Sequence, residues 1–292
     1  MGADDVTLLI CTRDRADRLL RLLDSAAQLS PPPREILVID NGSSDATPRH
    51  LADFGGRPAG LGVRRSRLRW YCEPQAGLGR ARQRGLQEVR TSLVACTDDD
   101  CLLDPGHIGA VAAAFDRLDV GFVGGRILPA PGAQARVALL EDDLPRVFEP
   151  GQVLWPGAVQ GANLAFDVAS LRAVGGFRVG WGAGTAFRAE DVDAAARLLA
   201  SGRRGAYCPE IAVVHDHGRD RAAGVALEAA NARARGAFVA SRLFAGEPAY
   251  VASWAARSLG RLGRRPRHLA RAAREASSEL AGAAAWLRAG RP

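Results

Sequence analysis

Three aspartates in a row, Asp98-Asp99-Asp100, are the sharpest chemical feature of this 292-residue chain. Adjacent carboxylates at the end of an apolar run repel one another unless a cation neutralises them. Oxygen ligands on a short turn suit Mg2+ or Mn2+, which also accept oxygens from a diphosphate. His215 closes another apolar run. A nitrogen ligand there would tilt the set towards Mn2+, although a single histidine reads equally as a surface or core residue. Two more polar clusters follow apolar runs: Thr12-Arg13-Asp14 and Asp40-Asn41. Glu190-Asp191 opens a helical pattern, where the macrodipole keeps a carboxylate ionised and ready to take a proton. The same position also suits a capping acid. Gly77-Leu78-Gly79-Arg80-Ala81-Arg82 begins like a dinucleotide fingerprint, but Arg82 stands where glycine or alanine is required. What remains is a glycine turn entering a helix with Arg80, Arg82 and Arg84, a reasonable anion site.

Composition excludes several chemistries. All 39 basic side chains are arginine. Without lysine there is no Walker A loop, no Schiff-base or pyridoxal-phosphate chemistry and no lysine base. Five cysteines without a CxxC pair give neither a disulfide framework nor a zinc ribbon, and read as buried thiols of a reducing compartment. The net charge of +7 is uneven: residues 1–218 carry −2 and residues 219–292 carry +9. A nucleic-acid-binding core is therefore not indicated. No apolar run reaches the roughly 18–20 residues of a membrane span, and the first residues lack a signal-peptide pattern, so a cytoplasmic protein is expected.

Short apolar runs alternate with helical patterns over the first two hundred residues, which argues a mainly parallel α/β sheet flanked by helices. Strands are expected at 6–11, 35–39, 68–72, 93–96, 120–123 and 211–214. Helices are expected at about 46–54, 80–90, 107–118, 168–174 and 190–201. One more, capped by Asp14 or Asp17, places Leu19, Leu22, Leu23 and Ala26 on one face. A Gly/Arg-rich loop should follow Phe54, and residues 130–158 read as an irregular excursion over the sheet. From Arg219 the chain is Ala/Arg-rich and helical, broken at Pro266. In open α/β sheets the ligand crevice lies beyond the carboxyl ends of the strands, where the polar clusters collect.

These segments together resemble the family 2 glycosyltransferases, enzymes of the GT-A fold that use nucleotide-activated sugars. The resemblance spans residues 5–218 and rests on order and spacing: the opening strand through Arg13, then Val38-Ile-Asp-Asn-Gly-Ser-Ser-Asp45. Gly77, Ala81-Arg82-Gln83-Arg84-Gly85, Asp98 to Asp100, Gly175-Gly176-Phe177 and Glu190-Asp191 with Arg197 and Gly202 complete it. It implies a nucleotide-sugar site of Thr12, Arg13, Asp14, Asp40, Asn41, Gly77, Arg82, Asp98 and Asp99. Thr12, Arg13 and Asp40 would line base and ribose. Asp98 and Asp100 match the family's DxD, with Asp100 the direct metal ligand and His215 beside metal and diphosphate. Asp191 matches the acceptor-activating base, with Glu190 its neighbour. Gln83 stands where the family commonly has asparagine.

The implied reaction is inverting transfer from a nucleoside-diphosphate sugar, UDP favoured, to a hydroxyl of a small-molecule or glycan acceptor, with Mn2+ or Mg2+ as cofactor. A metal-dependent nucleotidyltransferase and a non-catalytic nucleotide- or glycan-binding module are the alternatives. Residues 1–218 would form the catalytic domain, with the nucleotide half at about 1–128 and the acceptor half at 129–218. Residues 219–292 would form a basic helical extension. Its Trp254, Leu259, Leu262, Leu269, Leu280 and Trp286 could lie on the anionic inner face of a membrane or pack on the catalytic domain with arginines in water.

Overall fold

The computed structural model describes residues 1–56, 68–262 and 269–290. The expected Gly/Arg-rich loop and the break at Pro266 lie outside these residues. In chain order come β1 (Val6–Thr12), α1 (Ala16–Ala26), β2 (Glu35–Asp40), α2 (Thr47–Gly56), β3 (Leu68–Cys72) and α3 (Leu78–Glu88). Next are β4 (Leu93–Asp98), β5 (Cys101–Leu103), α4 (His107–Arg117), β6 (Phe122–Pro129) and β7 (Arg146–Phe148). Then follow β8 (Asn163–Asp167), α5 (Val168–Ala173), α6 (Glu190–Ala200) and β9 (Gly205–His215), and finally α7 (Arg221–Phe244), α8 (Ala249–Leu262) and α9 (Leu269–Arg288).

One mixed sheet runs β3-β2-β1-β4-β8-β6-β9-β5, with β7 paired to β9. The first four strands are parallel, and β8 then enters antiparallel to both β4 and β6. Strands β1, β2 and β4 are apolar on both faces, as strands covered by helices must be. Leu8, Ile10, Leu19, Leu22 and Leu23 fill one face of the sheet; Leu9, Leu37, Ile39, Phe166 and Trp181 fill the other. Register decides where the polar tips meet. Thr12 pairs Asp40 across β1–β2, Cys11 pairs Asp98 across β1–β4, and Cys101 pairs His215 across β5–β9.

The α1 cap differs from expectation. Neither Asp14 nor Asp17 caps it; Arg15 holds the N-cap position, and the Ala16 N–H donates to Asp45 Oδ2 at 3.0 Å. Strand β9 is longer than its expected core, because Pro209 and Glu210 interrupt an apolar pattern that the backbone carries through with a register shift against β6. Of the cysteines, Cys96, Cys101 and Cys208 are buried, Cys11 is half-buried and Cys72 is exposed; all are free thiols.

The C-terminal helices share the core rather than trailing from it. Phe238, Tyr250 and Trp286 belong to the same buried cluster as Phe177 and Trp181. Helices α7 and α9 run parallel, linked by Arg271–Glu228 near one end and by the Phe244 and Trp286 rings near the other. They approach so closely that a Cβ at Gly236 would collide with the Glu279 carbonyl, and one at Gly282 with the Arg233 carbonyl. Trp286 is buried, whereas Leu259, Leu269 and Leu280 are exposed. Among the described residues, no helix is long and apolar enough to cross a membrane.

Candidate active site

The strand tips open into a cleft of about 510 Å³. It gathers Thr12, Arg13, Asn41, Gly77, Arg82, Asp98, Asp99, Asp100, Glu190, Asp191 and His215 from segments far apart in the chain. Asp14 and Asp40 do not line it. Asp40 Oδ1 accepts from the Ser43 N–H at 3.0 Å, and Asp14 Oδ1 accepts from the Ser44 N–H at 2.7 Å. Asp14 so fastens the loop after β1 to the loop after β2, whereas Asp40 braces the turn that follows its own strand, the ordinary use of aspartate in turns. Asn41 is likewise a staple: its Nδ2 donates to the Glu73 and Gln75 carbonyls and its Oδ1 accepts from the Gly77 N–H. Gly77 has φ +139°, which glycine alone adopts easily. Of the three arginines on α3, only Arg82 lines the cleft, because Arg80 and Arg84 each stand two positions from it and residues two apart point to different sides of a helix. Arg84 instead stacks over Tyr71.

The acidic triple is neutralised in part by an arginine that no motif singled out. Arg15 Nη1 lies 2.9 Å from Asp99 Oδ1 and 2.7 Å from Asp100 Oδ2. Thr12 Oγ1 donates to Asp99 Oδ2 at 2.8 Å. Burial raises the Asp99 carboxyl to about 6, against the pull of Arg15. Burial also works against ionised Asp100, but His215 and Arg15 outweigh it and hold this carboxyl below its ordinary range. His215 Nδ1 lies 3.2 Å from the Ala138 carbonyl, which only accepts, so Nδ1 carries a proton. Nε2 then faces Asp100 Oδ1 at 3.0 Å. Two lone pairs at that distance are tolerated only with a proton or a cation between them. Without a cation, Asp100 raises the His215 pKa against the effect of burial.

The residues fit a divalent ion. Octahedral ligands at about 2.0–2.1 Å place neighbouring donor atoms roughly 3 Å apart, the separation of Asp100 Oδ1 and His215 Nε2. Ligand atoms of Asp100, Cys101 and His215 all lie within 4.8 Å of one another. Asp98 uses Oδ1 for Arg82 and has no hydrogen bond to Oδ2 among the described residues.

Arg82 ties the two halves of the cleft together. Its Nη2 contacts Asp98 at 3.0 Å, and its Nη1 contacts Glu190 at 2.6 Å across 108 positions of sequence. Both Arg82 and Glu190 are nearly inaccessible, and burial pushes Glu190 up to about 7 despite the guanidinium. Gly161 lies against this pair: a Cβ there would stand 2.6 Å from Arg82 Cζ. The Gly161 N–H donates to Asp191 Oδ2 at 2.5 Å, and the Val192 N–H to Oδ1 at 2.8 Å. Ala189, left-handed at φ +83°, turns the chain into α6 so that the acidic pair faces the cleft. Asp98, Asp99, Asp100 and Glu190 each have an arginine partner; among the described cleft carboxylates, Asp191 alone has none.

Gln83 Oε1 accepts from the Phe177 N–H at 2.8 Å and so holds the Gly175-Gly176 turn. Arg197 bonds the Val174 and Gly176 carbonyls and pairs with Asp193 at 2.8 Å. Sequence reasoning missed Arg15, Arg188 and Arg219 as cleft residues, and also Asn231 and Arg235 of α7. Arg188 and Arg219 have no carboxylate partner among the described residues, and each is half-buried.

A mixed α/β sheet with flanking helices, its strand tips ending in a metal-fitting acidic cluster, has the GT-A architecture of glycosyltransferases. The profile of glycosyl transferase family 2 matches residues 7–156, just over half of the chain, and the chain belongs to that family. It is 30% identical over 220 residues to the pre-mycofactocin glycosyltransferase of Mycobacterium tuberculosis, covering 73% of this chain and 43% of that protein. The chain thus spans less than half the length of the curated relatives it matches. Among solved structures, the mannosyltransferase PcManGT of Pyrobaculum calidifontis, in complex with GDP-Man and Mn2+, superposes with a TM-score of 0.65. It is 19% identical, and the match covers 98% of this chain and 79% of that one. S. aureus TarS 1–349 in complex with UDP-GlcNAc gives 0.57 at 15% identity, over 73% and 58% of the two chains.

Proposed function

We propose that this chain transfers a sugar from a nucleoside-diphosphate sugar to an acceptor hydroxyl with inversion, using Mn2+ or Mg2+ held by Asp98, Asp100 and His215. The observation that carries the reading is the division of labour among the cleft carboxylates. Four are met by arginine, and Asp191 is held only by backbone N–H groups. A carboxylate so placed is oriented without an arginine partner, and takes the proton from the attacking hydroxyl. When bound, the divalent ion supplies Lewis-acid stabilisation to the leaving diphosphate. Arg188 and Arg219 add fixed positive charge where the leaving oxygens become negative. Arg82 keeps Glu190 and Asp98 at a constant spacing, so donor and acceptor sides stay in register. Inversion follows from one base and one displacement. Residues 1–128 supply most of the donor side, joined there by Arg188, His215 and Arg219, while the rest of 129–218 and α7 serve the acceptor.

Solved neighbours hold GDP-Man in one case and UDP-GlcNAc in another; the uracil base is our first choice. Thermal shift with UDP, GDP and dTDP, each with Mn2+ or chelator, tests the assignment, since a bound ligand raises stability by mass action. UDP should stabilise only with metal, and Asp100→Asn should lose more of the shift than Asp99→Asn. Full stabilisation in chelator removes the metal from the mechanism; a shift with GDP or dTDP alone overturns the base.

A further inference from the structure

One stripe of α7 faces the cleft: Leu227, Asn231, Ala234 and Arg235, spaced as a single helical face. The start of this helix is anchored at the acidic tip, because the Asp216 N–H donates to the Asp100 carbonyl and Arg219 lines the cleft beside it. Arg235 lies fourteen residues beyond Arg221, or about 21 Å along the helix axis. Arg235 thus sits well along the helix from its Asp100 end. Its surroundings are those of the opposite end. Phe238, one turn on, packs against Tyr250, whose hydroxyl accepts from the Leu154 N–H. Arg257 stacks 4.9 Å over Trp155. Helices α7 and α8 therefore clamp the loop whose Pro156 and Gly157 line the cleft.

The Arg235 side chain is held for binding. Its Nε donates to Glu279 Oε1 at 2.9 Å. Glu279 is buried and is further fixed by Trp254 Nε1 at 2.8 Å and by both Nη atoms of Arg261. Hydrogen bonds from these partners hold the Glu279 carboxyl below its usual range although burial opposes them. The Nη atoms of Arg235 and the amide of Asn231 make no hydrogen bond among the described residues. A guanidinium locked at Nε presents its remaining donors as a fork, which matches two oxygens of one anion.

We propose that Arg235 and Asn231 form an acceptor subsite for a carboxylate or phosphate group, with Glu279 as the positioning residue for the Arg235 fork. The acceptor is then an acidic molecule, its anionic group lying beyond the hydroxyl that Asp191 deprotonates. This rests on the transferase reading above. Arg188 adds to the positive field of the same cleft, while Glu190 is neutralised by Arg82.

Calorimetric titration of the full chain with glucose, glucuronate and glucose 6-phosphate, with and without UDP and Mn2+, tests the subsite. At least one acid should bind about tenfold or more tighter than glucose, the least worth of a charge-assisted hydrogen bond. Which acid gains identifies carboxylate or phosphate as the group. Arg235→Gln should abolish the preference and Asn231→Ala should reduce it, with the UDP shift of melting temperature kept in both. Equal binding of acids and glucose, or a preference that survives Arg235→Gln, overturns the proposal. Loss of the UDP shift in the unmodified protein would instead count against the donor reading.

Discussion

Replacing Arg82 by methionine removes one cation from between two carboxylates and leaves their positions otherwise intact. Arg82 and Glu190 are 3% and 4% exposed in their side chains, whereas Asp98 is 32% exposed and can be solvated. The loss therefore falls on Glu190. Breaking a buried pair by removing one partner costs about 3–5 kcal/mol, which for a protein of this size lowers the melting temperature by on the order of 10 °C. The cost should depend on pH, with a definite sign. Glu190 titrates near 7 in the folded protein with Arg82 present, above its unfolded value of roughly 4.3. Burial without the guanidinium raises it further. Below pH 7 the carboxyl is protonated in both proteins and the deficit is small. Above pH 7 the variant must bury an unpaired charge or carry a proton that water does not readily give, so the deficit grows. Differential scanning calorimetry at pH 6.0 and 8.5 reads both values. A deficit that is equal at the two pH values, or smaller at 8.5, refutes this account of the pair.

Gly161→Ala should displace the Arg82 guanidinium and the Asp191 contact together, because its Cβ would stand 2.6 Å from Arg82 Cζ; overpacking of about 1–3 kcal/mol and a large loss of transfer are expected in calorimetry and turnover. Asp193→Asn should destabilise by about 3–5 kcal/mol in chemical denaturation, since the fully buried Asp193 pairs with Arg197 at 2.8 Å and Arg178 at 3.2 Å and has Arg242 at 3.6 Å. A chain ending at Gly218 should lose its cooperative melting transition, because Phe238, Tyr250 and Trp286 are then removed from the buried cluster they share with Phe177 and Trp181; a sharp transition near that of the full chain would show that the tail is separable.

Much of the sheet and of the donor side was legible in sequence, because buried strands are continuous apolar runs and their polar tips stand out at the ends. The resemblance carried Asp98, Asp100, Asp191 and His215 into one cleft, where the structure places them. Asp14 and Asp40 look the same in sequence as ligands and as turn builders, and only the loop geometry separates the two uses. Arg15 carries no signal: it precedes an ordinary amphipathic helix, and its partners are fixed only when β1 and β4 pair. The Arg82–Glu190 contact depends on how α3 meets α6, which local pattern does not encode. The face that α7 turns to the cleft is set by its close approach to α9, and an Ala/Arg-rich helix offers no apolar stripe to announce it. Sequence alternation also concealed the antiparallel entry of β8, since the long excursion before it removes the helix that would demand a parallel return.

The most direct measurement is turnover of Asp191→Asn beside its melting temperature and nucleotide affinity. Both oxygens of Asp191 accept backbone N–H groups, from Gly161 and Val192, and asparagine keeps one such acceptor. A structural carboxylate lost in this way costs about 1 kcal/mol and leaves transfer largely intact. A catalytic base lost in the same way lowers transfer by roughly 10² to 10⁴, while UDP affinity with Mn2+ and the melting temperature stay close to the unmodified protein. The account predicts the second pattern, and near-normal transfer by the folded, nucleotide-binding variant would contradict it.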